Sequence, residues 1–341
     1  MKKFLVLILS VAMALSLIAC GNASSSAPTS EQSSAASNAE NVSSADNADK
    51  VFRVGISQLV QHEALNAATK GFRDALSEKL GDKVIFDEQN AAGDSATSAT
   101  IANQFVASKY DLIMGNATPA LQAAVSATDT IPVLGTSITD YATALDIDNW
   151  TGVTGYNVSG TSDLAPLDKQ AQMIKELFPD AKNVGILYCS AEPNSKYQAE
   201  TIKKYLTDMG YTVTDYTFAD SNDVTAVTQN ACANSDVLYI PTDNTAASCT
   251  EAINNVAEPA GIPIVSGEEG ICKGCGVATL SISYYDIGFT TGQMAYDILV
   301  NGADISTMEV KFASDTTYKY MPDRAEKLGV KIPASYSAIE S

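Results

Sequence analysis

Short runs of β-branched and apolar residues alternate with helical segments from residue 51 onward. The first run, residues 51–58, predicts a strand. Residues 63–80 carry apolar side chains at three- and four-residue spacing, which predicts a helix. No hairpin signal separates the first four predicted strands, so they are expected to be parallel, with helices on both faces of the sheet. This alternation predicts an α/β fold made of successive βαβ units.

The alternation stops once and then starts again. Residues 146–160 are rich in Asn, Gly and Thr and have no periodicity, so they predict a crossing between two domains. A second crossing is predicted at residues 276–285. We therefore expect two similar α/β lobes facing each other across a cleft. Lobe 1 is predicted to hold residues 51–155 plus 279–307, and lobe 2 residues 156–278 plus 308–341.

The N-terminal segment has the features of an export signal. Two lysines precede an apolar run at residues 4–19, too short for a confident membrane span. The run ends in Leu-Ile-Ala-Cys-Gly, which resembles a bacterial lipobox and predicts a signal peptide over residues 1–20 and acylation of Cys20. An ordinary signal peptide with an incidental cysteine is the alternative. Residues 21–49, rich in Ser, Ala and Asn, predict a flexible tether.

The composition disfavours several classes of protein. A formal charge of −19 repels phosphate backbones, so nucleic acid is not an expected partner. His62 is the only histidine and is expected in a surface loop, which leaves little basis for a metal site or a catalytic triad. The sequence "CKGC" has C-x-x-C spacing, and a local disulfide or free thiols are favoured over redox catalysis. No cofactor is expected.

Ligands of open α/β sheets bind beyond the carboxyl ends of the strands. The residues at those ends are small hydroxyls, amides and carboxylates, without a convincing nucleophile and base, so no catalytic residue is predicted. The ligand-binding candidates are Ser57, Gln58, Asn90, Thr118, Pro119, Thr136, Ser137, Asn194, Ser195, Asp243, Asn244 and Glu268.

Two of these candidates have opposite chemical uses. Thr118 is expected to cap a helix that Pro119 begins, where backbone amides and the helix dipole suit a ligand carboxylate. Asp243, in the stretch "YIPTDNTAAS", is expected to pair with a ligand ammonium group. Capping alone remains the alternative for each residue. Together they favour contact with a zwitterion.

Several stretches resemble ABC-transporter substrate-binding lipoproteins related to tryptophan- and tyrosine-uptake proteins: "VGISQLVQHEALNAATKGF", "NATPALQAA", "AEPNSKYQ", "YIPTDN" and "GEEGICKGCGVATLSISYYDIG". The resemblance implies a type I periplasmic binding protein: two Rossmann-like lobes with parallel sheets, three crossings, and closure around an aromatic or other apolar α-amino acid. It also implies an ABC permease as partner and a lipid-anchored, extracytoplasmic location. We expect a monomer.

The chain departs from the family pattern at two places. Tyr141 stands where a proline usually follows "TSITD", and "CKGC" replaces a basic residue before glycine and alanine. Apolar walls for a ring are expected from Tyr156, Tyr197 or Tyr284, of which Tyr284 is a binding candidate. A buried core position is the alternative for each of them.

Other functions remain open at this point. The same cleft suits a nucleoside, a sugar or another small solute, and a sensory receptor ectodomain has the same architecture. An exported enzyme using Asp243 or Glu268 as acid or base is a further alternative.

Overall fold

The structure is a computed structural model that describes residues 50–340. Cys20, the predicted signal peptide and the whole of the predicted tether lie outside the described residues. The strands are β1 (Phe52–Gln58), β2 (Val84–Asn90), β3 (Leu112–Asn116), β4 (Val133–Ile138), β5 (Val158–Ser162), β6 (Asn183–Cys189), β7 (Thr212–Phe218), β8 (Val237–Ile240), β9 (Ile264–Ser266), β10 (Ala278–Ser281), β11 (Lys311–Phe312), β12 (Thr317–Tyr320) and β13 (Ser337–Ala338).

The helices alternate with these strands over most of the chain. They are α1 (Glu63–Leu80), α2 (Ser95–Ala107), α3 (Thr118–Ala127), α4 (Tyr141–Leu145), α5 (Leu167–Leu177), α6 (Pro193–Asp208), α7 (Val224–Asn234), α8 (Asn244–Ser248), α9 (Thr250–Ala260), α10 (Glu269–Cys275), α11 (Tyr284–Leu299) and α12 (Pro322–Leu328). No helix within residues 50–340 combines the length and the apolar character needed to cross a membrane.

The first sheet is entirely parallel, in the order β11-β5-β4-β3-β1-β2. Apolar residues cover both of its faces. Ile113 packs among residues of α2 and α3, whereas Leu112 and Met114, which point to the opposite face, pack among residues of α1 and α11. The expected parallel sheet with helices on both faces is therefore confirmed here. This sheet and its helices are called the first lobe below.

Two helices of the first lobe touch backbone to backbone although they lie far apart in the chain. A Cβ on Gly71 of α1 would lie 2.1 Å from the carbonyl oxygen of Tyr285, and one on Gly288 of α11 would lie 2.0 Å from that of Ala68. Only glycine permits this approach. Helix α11, which follows the second crossing, is thereby fixed to the first lobe.

The second sheet has the order β13-β12-β10-β9-β8-β6-β7, and this sheet with its helices forms the second lobe. Its pairs are parallel except β10–β12, which is antiparallel. Strand β12 is thus an exception in a sheet that is otherwise parallel, as expected. This strand enters from the first lobe rather than through a helical crossover on its own sheet, and only such crossovers impose parallel pairing.

The first crossing lies further along the chain than predicted, whereas the second lies within the predicted residues 276–285. Strand β5 pairs with β4, Val158 opposite Val133, so the first crossing follows Ser162 rather than residue 155. Strand β10 pairs with β9 in the second sheet, so the second crossing lies between β10 and α11. The third lies between β11 and β12. Strand β5, "VSGTS", consists mostly of small polar residues, and its burial gives no period-two signal.

Three local features concern the segment after β8, the cysteines and Tyr141. Residues 244–260 form two helices, α8 and α9, with Cys249 between them. The "CKGC" stretch lies within α10, and all five cysteines among the described residues are free thiols, four of them buried. Tyr141 is buried in the first lobe, where its hydroxyl donates to the carbonyl oxygen of Gly135 at 3.0 Å.

Candidate functional site

A small cavity lies between the two lobes, and it is called the interlobe cavity below. It holds about 10 Å³, which is room for roughly one water molecule. The first lobe and the first two crossings contribute His62, Leu65, Ser137, Asp163 and Tyr284, and the second lobe contributes Asn194, Thr242, Asp243, Asn244, Ala247 and Glu268.

Asp243 lies at the end of β8 and is buried at the wall of the cavity. It caps α8: Oδ1 accepts from the backbone N–H of Ala246 at 2.7 Å, and Oδ2 accepts from that of Cys189 at 2.6 Å. The side chain of Ser195 also donates to the carboxyl group. Burial and the nearby charge of Glu192 raise the pKa of Asp243 to about 8. A cation in the cavity would favour its ionised form.

Glu268 and Asp163 are two further buried carboxyls at the cavity. Glu268 caps α10 by accepting from the backbone N–H groups of Gly270, at 2.6 Å, and Ile271. Burial raises the pKa of Glu268 to about 7. Asp163, at the first crossing, accepts from the hydroxyl of Tyr284 at 2.8 Å. Burial raises the pKa of Asp163 to about 6.

The electrostatic character of the cavity follows from these groups. Asp163, Asp243 and Glu268 line it, whereas no lysine or arginine is found among its described lining residues. Each carboxyl loses hydration on burial, and only a positive charge or hydrogen-bond donors can replace that hydration. The cavity is therefore suited to a cationic group.

On the first-lobe side, neighbouring strands end in buried polar groups that lack partners. The hydroxyls of Ser57 and Ser137 and Oδ1 of Asn116 are buried and accept or donate no hydrogen bond within residues 50–340. They lie on β1, β4 and β3, which are adjacent in the sheet. Ser137, which lines the cavity, has a φ of 58°, and such left-handed backbone at a non-glycine residue is common at functional sites.

Helix α3 begins differently from the prediction. Thr118 is the first helical residue and Ala117 occupies the cap position, with a φ of 87° and no side-chain cap. Thr118 is therefore not the cap, and Pro119 is the second residue of the helix. An uncapped start leaves backbone N–H groups available and suits an anion. Thr118 is buried but does not line the interlobe cavity.

The structure brings together six of the predicted site residues at the cavity. These are Ser137, Asn194, Asp243, Asn244, Glu268 and Tyr284. Ser57, Gln58, Thr118, Thr136 and Ser195 are buried, and none of the five lines the cavity.

The remaining candidates lie elsewhere. Asn90 is exposed at the end of edge strand β2, where its Oδ1 accepts from the N–H of Ala92. Tyr156, with 60 % of its surface exposed, and half-buried Tyr197 do not line the cavity. Pro119 lines a second, outer space.

That outer space is a groove of about 250 Å³ between the lobes, called the outer groove below. Asn244 lines both the outer groove and the interlobe cavity. Leu59, Val60 and Pro119 line it from the first lobe, and Ala191 faces them from the second. Asp94, Glu192 and Asp220 also line the groove, which therefore offers both apolar and acidic surface next to the cavity.

Four lining residues were not among the expected ones: His62, Leu65, Asp163 and Ala247. The expectation of a surface-loop position for His62 is wrong, because this half-buried side chain lies between the lobes. Asp163 was missed because β5 was not recognised as a strand. The stretch "VSGTSD" does carry a signal, an acid directly after a run of small residues.

Three polar contacts join the lobes around the cavity. Nε2 of His62 lies 3.2 Å from Oδ1 of Asn244. Nε2 of Gln198 donates to the hydroxyl of Thr139 at 3.3 Å. The ammonium of Lys273 lies 3.8 Å from the Glu63 carboxylate. These contacts hold the lobes in a closed arrangement.

The chain is similar to known binding proteins over most of its length. Residues 53–339 match the model of the ABC transporter substrate binding protein family. A tyrosine-binding protein of Clostridioides difficile (strain R20291) is 37% identical over 266 residues, which cover 77% of this chain and 76% of that protein.

Solved structures of binding proteins are also similar to this chain. An ABC domain from Streptococcus pneumoniae in complex with L-Trp is 32% identical, with a TM-score of 0.81 over 85% of this chain and 100% of that one. A substrate-binding protein with adhesive properties from Clostridium difficile, in a ligand-free, open form, is 36% identical, and it covers the same shares with a TM-score of only 0.65. The lobes are thus arranged more as in the L-Trp complex than as in the open form.

These comparisons also settle the architecture. A leucine-binding protein from Thermotoga maritima, 15% identical, matches with a TM-score of 0.57 over 74% of this chain and 83% of that one, which shows the shared type I periplasmic binding protein fold. The predicted fold class is confirmed. The family match over residues 53–339 shows that the chain belongs to the ABC transporter substrate-binding protein family.

Proposed function

We propose that this protein captures an aromatic or other apolar α-amino acid between its lobes and delivers it to a membrane permease. The observation that carries this proposal is the interlobe cavity, where Asp163, Asp243 and Glu268 are buried with no lysine or arginine among the described lining. An α-ammonium group supplies the missing positive charge. The role is binding rather than catalysis.

The rest of an amino acid has matching surfaces nearby. Its carboxylate suits the unpaired hydroxyl of Ser137 and the uncapped start of α3, which lie on the first-lobe side. Its side chain suits the outer groove, where Leu59, Val60 and Pro119 provide apolar contacts. Relatives support this ligand class, since one is a tyrosine-binding protein and another was solved with L-Trp.

Capture requires the lobes to open. A cavity of about 10 Å³ admits no amino acid while the lobes are closed, so the ligand must enter an open form and select the closed one. The three crossings, near Asp163, Ser283 and Ser314, are the only places where the described chain passes between the lobes. We assign the hinge to them.

Isothermal titration calorimetry of the purified protein tests the ligand class directly. L-tryptophan, L-tyrosine, L-phenylalanine and L-leucine are titrated beside a nucleoside and a hexose. Binding of at least one of these amino acids, with no heat from the nucleoside or hexose, is the expected result. If only the nucleoside or the hexose gave a heat of binding, that solute and not an amino acid would be the ligand. No binding at all would contradict the proposal.

We further propose that the protein is extracytoplasmic, monomeric and held at the membrane by lipid on Cys20. The family membership supports an extracytoplasmic location, and the lipobox-like sequence supports the anchor. Cys20→Ser should move the protein from the membrane fraction to the soluble fraction of the cell. Retention of the variant in the membrane fraction would contradict lipidation.

A further inference from the structure

The only histidine of the chain, His62, contacts the opposite lobe through one ring nitrogen and leaves the other without a partner. Nε2 lies 3.2 Å from Oδ1 of Asn244. Nδ1 is buried and has no hydrogen-bond partner within residues 50–340. The side chain lines the interlobe cavity. A buried polar atom without a partner at a binding cavity needs an explanation.

The hydrogen bonds of Glu192 determine which protons the histidine carries. Both carboxylate oxygens accept from backbone N–H groups, those of Asn244 at 3.0 Å and Thr245 at 2.8 Å. One end of the Asn244 side-chain amide lies 2.6 Å from Oε2 of Glu192. Because this carboxylate oxygen is an acceptor, that end of the amide must be the NH₂ group. Its oxygen then faces His62, so Nε2 must donate. The neutral imidazole has its lone pair on Nδ1, which is an acceptor.

Glu192 orients a second amide in the same way. Nδ2 of Asn194 donates to Oε2 of Glu192 and to the carbonyl oxygen of Thr242, both at 3.2 Å. The other end of this side chain is therefore oxygen. Oδ1 of Asn194 is buried and has no partner within the described chain, and Asn194 also lines the cavity. Two buried acceptors, one from each lobe, are thus left for donors that the protein does not supply.

We propose that Nδ1 of His62 and Oδ1 of Asn194 accept hydrogen bonds directly from the ammonium group of the ligand, a step that rests on the proposed amino-acid binding function. An ammonium group has three N–H donors, and these two acceptors lie on opposite lobes. Asp243 already accepts from Cys189, Ala246 and Ser195, so it acts chiefly as the nearby negative charge. Glu192 is a positioning residue, because it orients both amides without touching the ligand.

The assignment explains how the ligand favours closure. The histidine belongs to the first lobe and the asparagine to the second, so both hydrogen bonds to one ammonium form only when the lobes meet. The His62–Asn244 contact forms in the same arrangement. Ligand binding and closure are therefore stabilised by the same side chain.

Titration of wild type, His62→Leu and His62→Gln with L-tyrosine, L-tryptophan and their deaminated analogues tests the proposal. These analogues, 3-(4-hydroxyphenyl)propionate and indole-3-propionate, lack only the ammonium. His62→Leu should weaken amino-acid binding about tenfold to a hundredfold, the range for a hydrogen bond to a charged group, and weaken analogue binding less. His62→Gln, which keeps an acceptor, should recover part of the loss.

An equal loss for the amino acid and its analogue would assign His62 to closure alone and overturn the proposal, as would unchanged binding in His62→Leu. Failure of wild type to bind any amino acid would instead contradict the proposed function. Nitrogen-15 NMR of the untagged wild-type complex is independent of any variant, because His62 gives the only imidazole signals. A neutral ring protonated at Nε2, with an Nδ1 signal that shifts on ligand binding, is expected. A ring protonated at Nδ1 would overturn the assignment.

Discussion

The hydroxyl of Tyr284 donates to Oδ2 of Asp163 at 2.8 Å, and this hydrogen bond joins the first crossing between the lobes to the second. Asp163 directly follows β5, and Tyr284 begins α11. The hydroxyl of Thr139 donates to the other oxygen of the carboxyl group at 3.2 Å. The bond therefore fixes two hinge segments to each other beside the interlobe cavity.

Removing this hydroxyl should destabilise the protein. Tyr284→Phe leaves a buried carboxyl with one fewer donor, at an expected cost of about 1–3 kcal/mol in the free energy of unfolding, measured by urea denaturation. The hydrogen bond lowers the pKa of Asp163, so the variant should raise that pKa further. Tyr285→Phe is the matched control, because this half-buried neighbour bonds Asp74 outside the cavity. Equal stability of the two variants would contradict the prediction.

Removing the charge of Asp243 should weaken ligand binding. Asp243→Asn retains an acceptor for the N–H of Ala246 but removes the negative charge, so ligand affinity should fall about tenfold to a hundredfold by calorimetry. The NH₂ group of the new side chain faces the N–H of Cys189, which loses its acceptor, so the free energy of unfolding should also fall by about 1–3 kcal/mol.

Asp140→Asn is the control for Asp243→Asn. Asp140 caps α4 by accepting from the N–H of Thr143, and it does not line the interlobe cavity. Its replacement should leave affinity unchanged. Equal affinity of the Asp243 variant and wild type would refute the assignment of the negative charge.

Glu268 should make the ligand-free protein less stable as pH rises. Burial raises its pKa from 4.5 to about 7, so folding favours the protonated carboxyl. Its stabilising contribution is complete below the unfolded pKa and is lost as pH rises through the folded one. The stability of wild type relative to Glu268→Gln should therefore decrease between pH 4.5 and 7. Urea denaturation at several pH values measures this difference, and a constant difference would contradict the assignment.

The "CKGC" cysteines should be unreactive in the native protein. Cys272 and Cys275 are buried within α10, and burial raises the pKa of the Cys275 thiol to about 12 and that of Cys272 further. Since the thiolate is the nucleophile, alkylation at neutral pH should be slow. Half-buried Cys249 is the internal comparison and should react first. Mass spectrometry of partly alkylated protein measures the order, and faster labelling of Cys272 would contradict it.

The contact between α1 and α11 should not tolerate a methyl group. Gly288→Ala places a Cβ about 2.0 Å from the carbonyl oxygen of Ala68, so the helices must move apart. The expected loss in the free energy of unfolding is about 1–3 kcal/mol, and thermal melting would show it. Unchanged melting would mean that the helices separate at little cost.

The regular elements could be predicted because their signals are local. The helix at residues 63–80 has the predicted bounds and the first strand begins one residue later than predicted, since apolar periodicity and nearby turn residues define each one. Strand β5 was missed because its burial depends on neighbouring strands rather than on its own apolar content. Local pattern therefore predicts elements better than it predicts the boundaries between lobes.

The site was only partly predictable for a related reason. Asp243 and Glu268 could be identified because an acid within three residues of the end of a buried strand is a local signal. Asn90 has the same kind of position, yet β2 lies at the edge of its sheet and directs that residue to solvent. His62 was misjudged because its burial arises from the opposite lobe. Strand order and closure are properties of the whole chain.

The glycine contact between α1 and α11 also has a consequence for the order of synthesis. Helix α11 begins at Tyr284, after the polypeptide has traversed most of the second lobe. A nascent chain in which α1 has been synthesised but α11 has not therefore exposes the surface around Gly71 that α11 later contacts. The first lobe is completed only by α11 and β11, and the second lobe then still needs β12 and β13, so neither half can finish folding before almost the whole described chain has been synthesised.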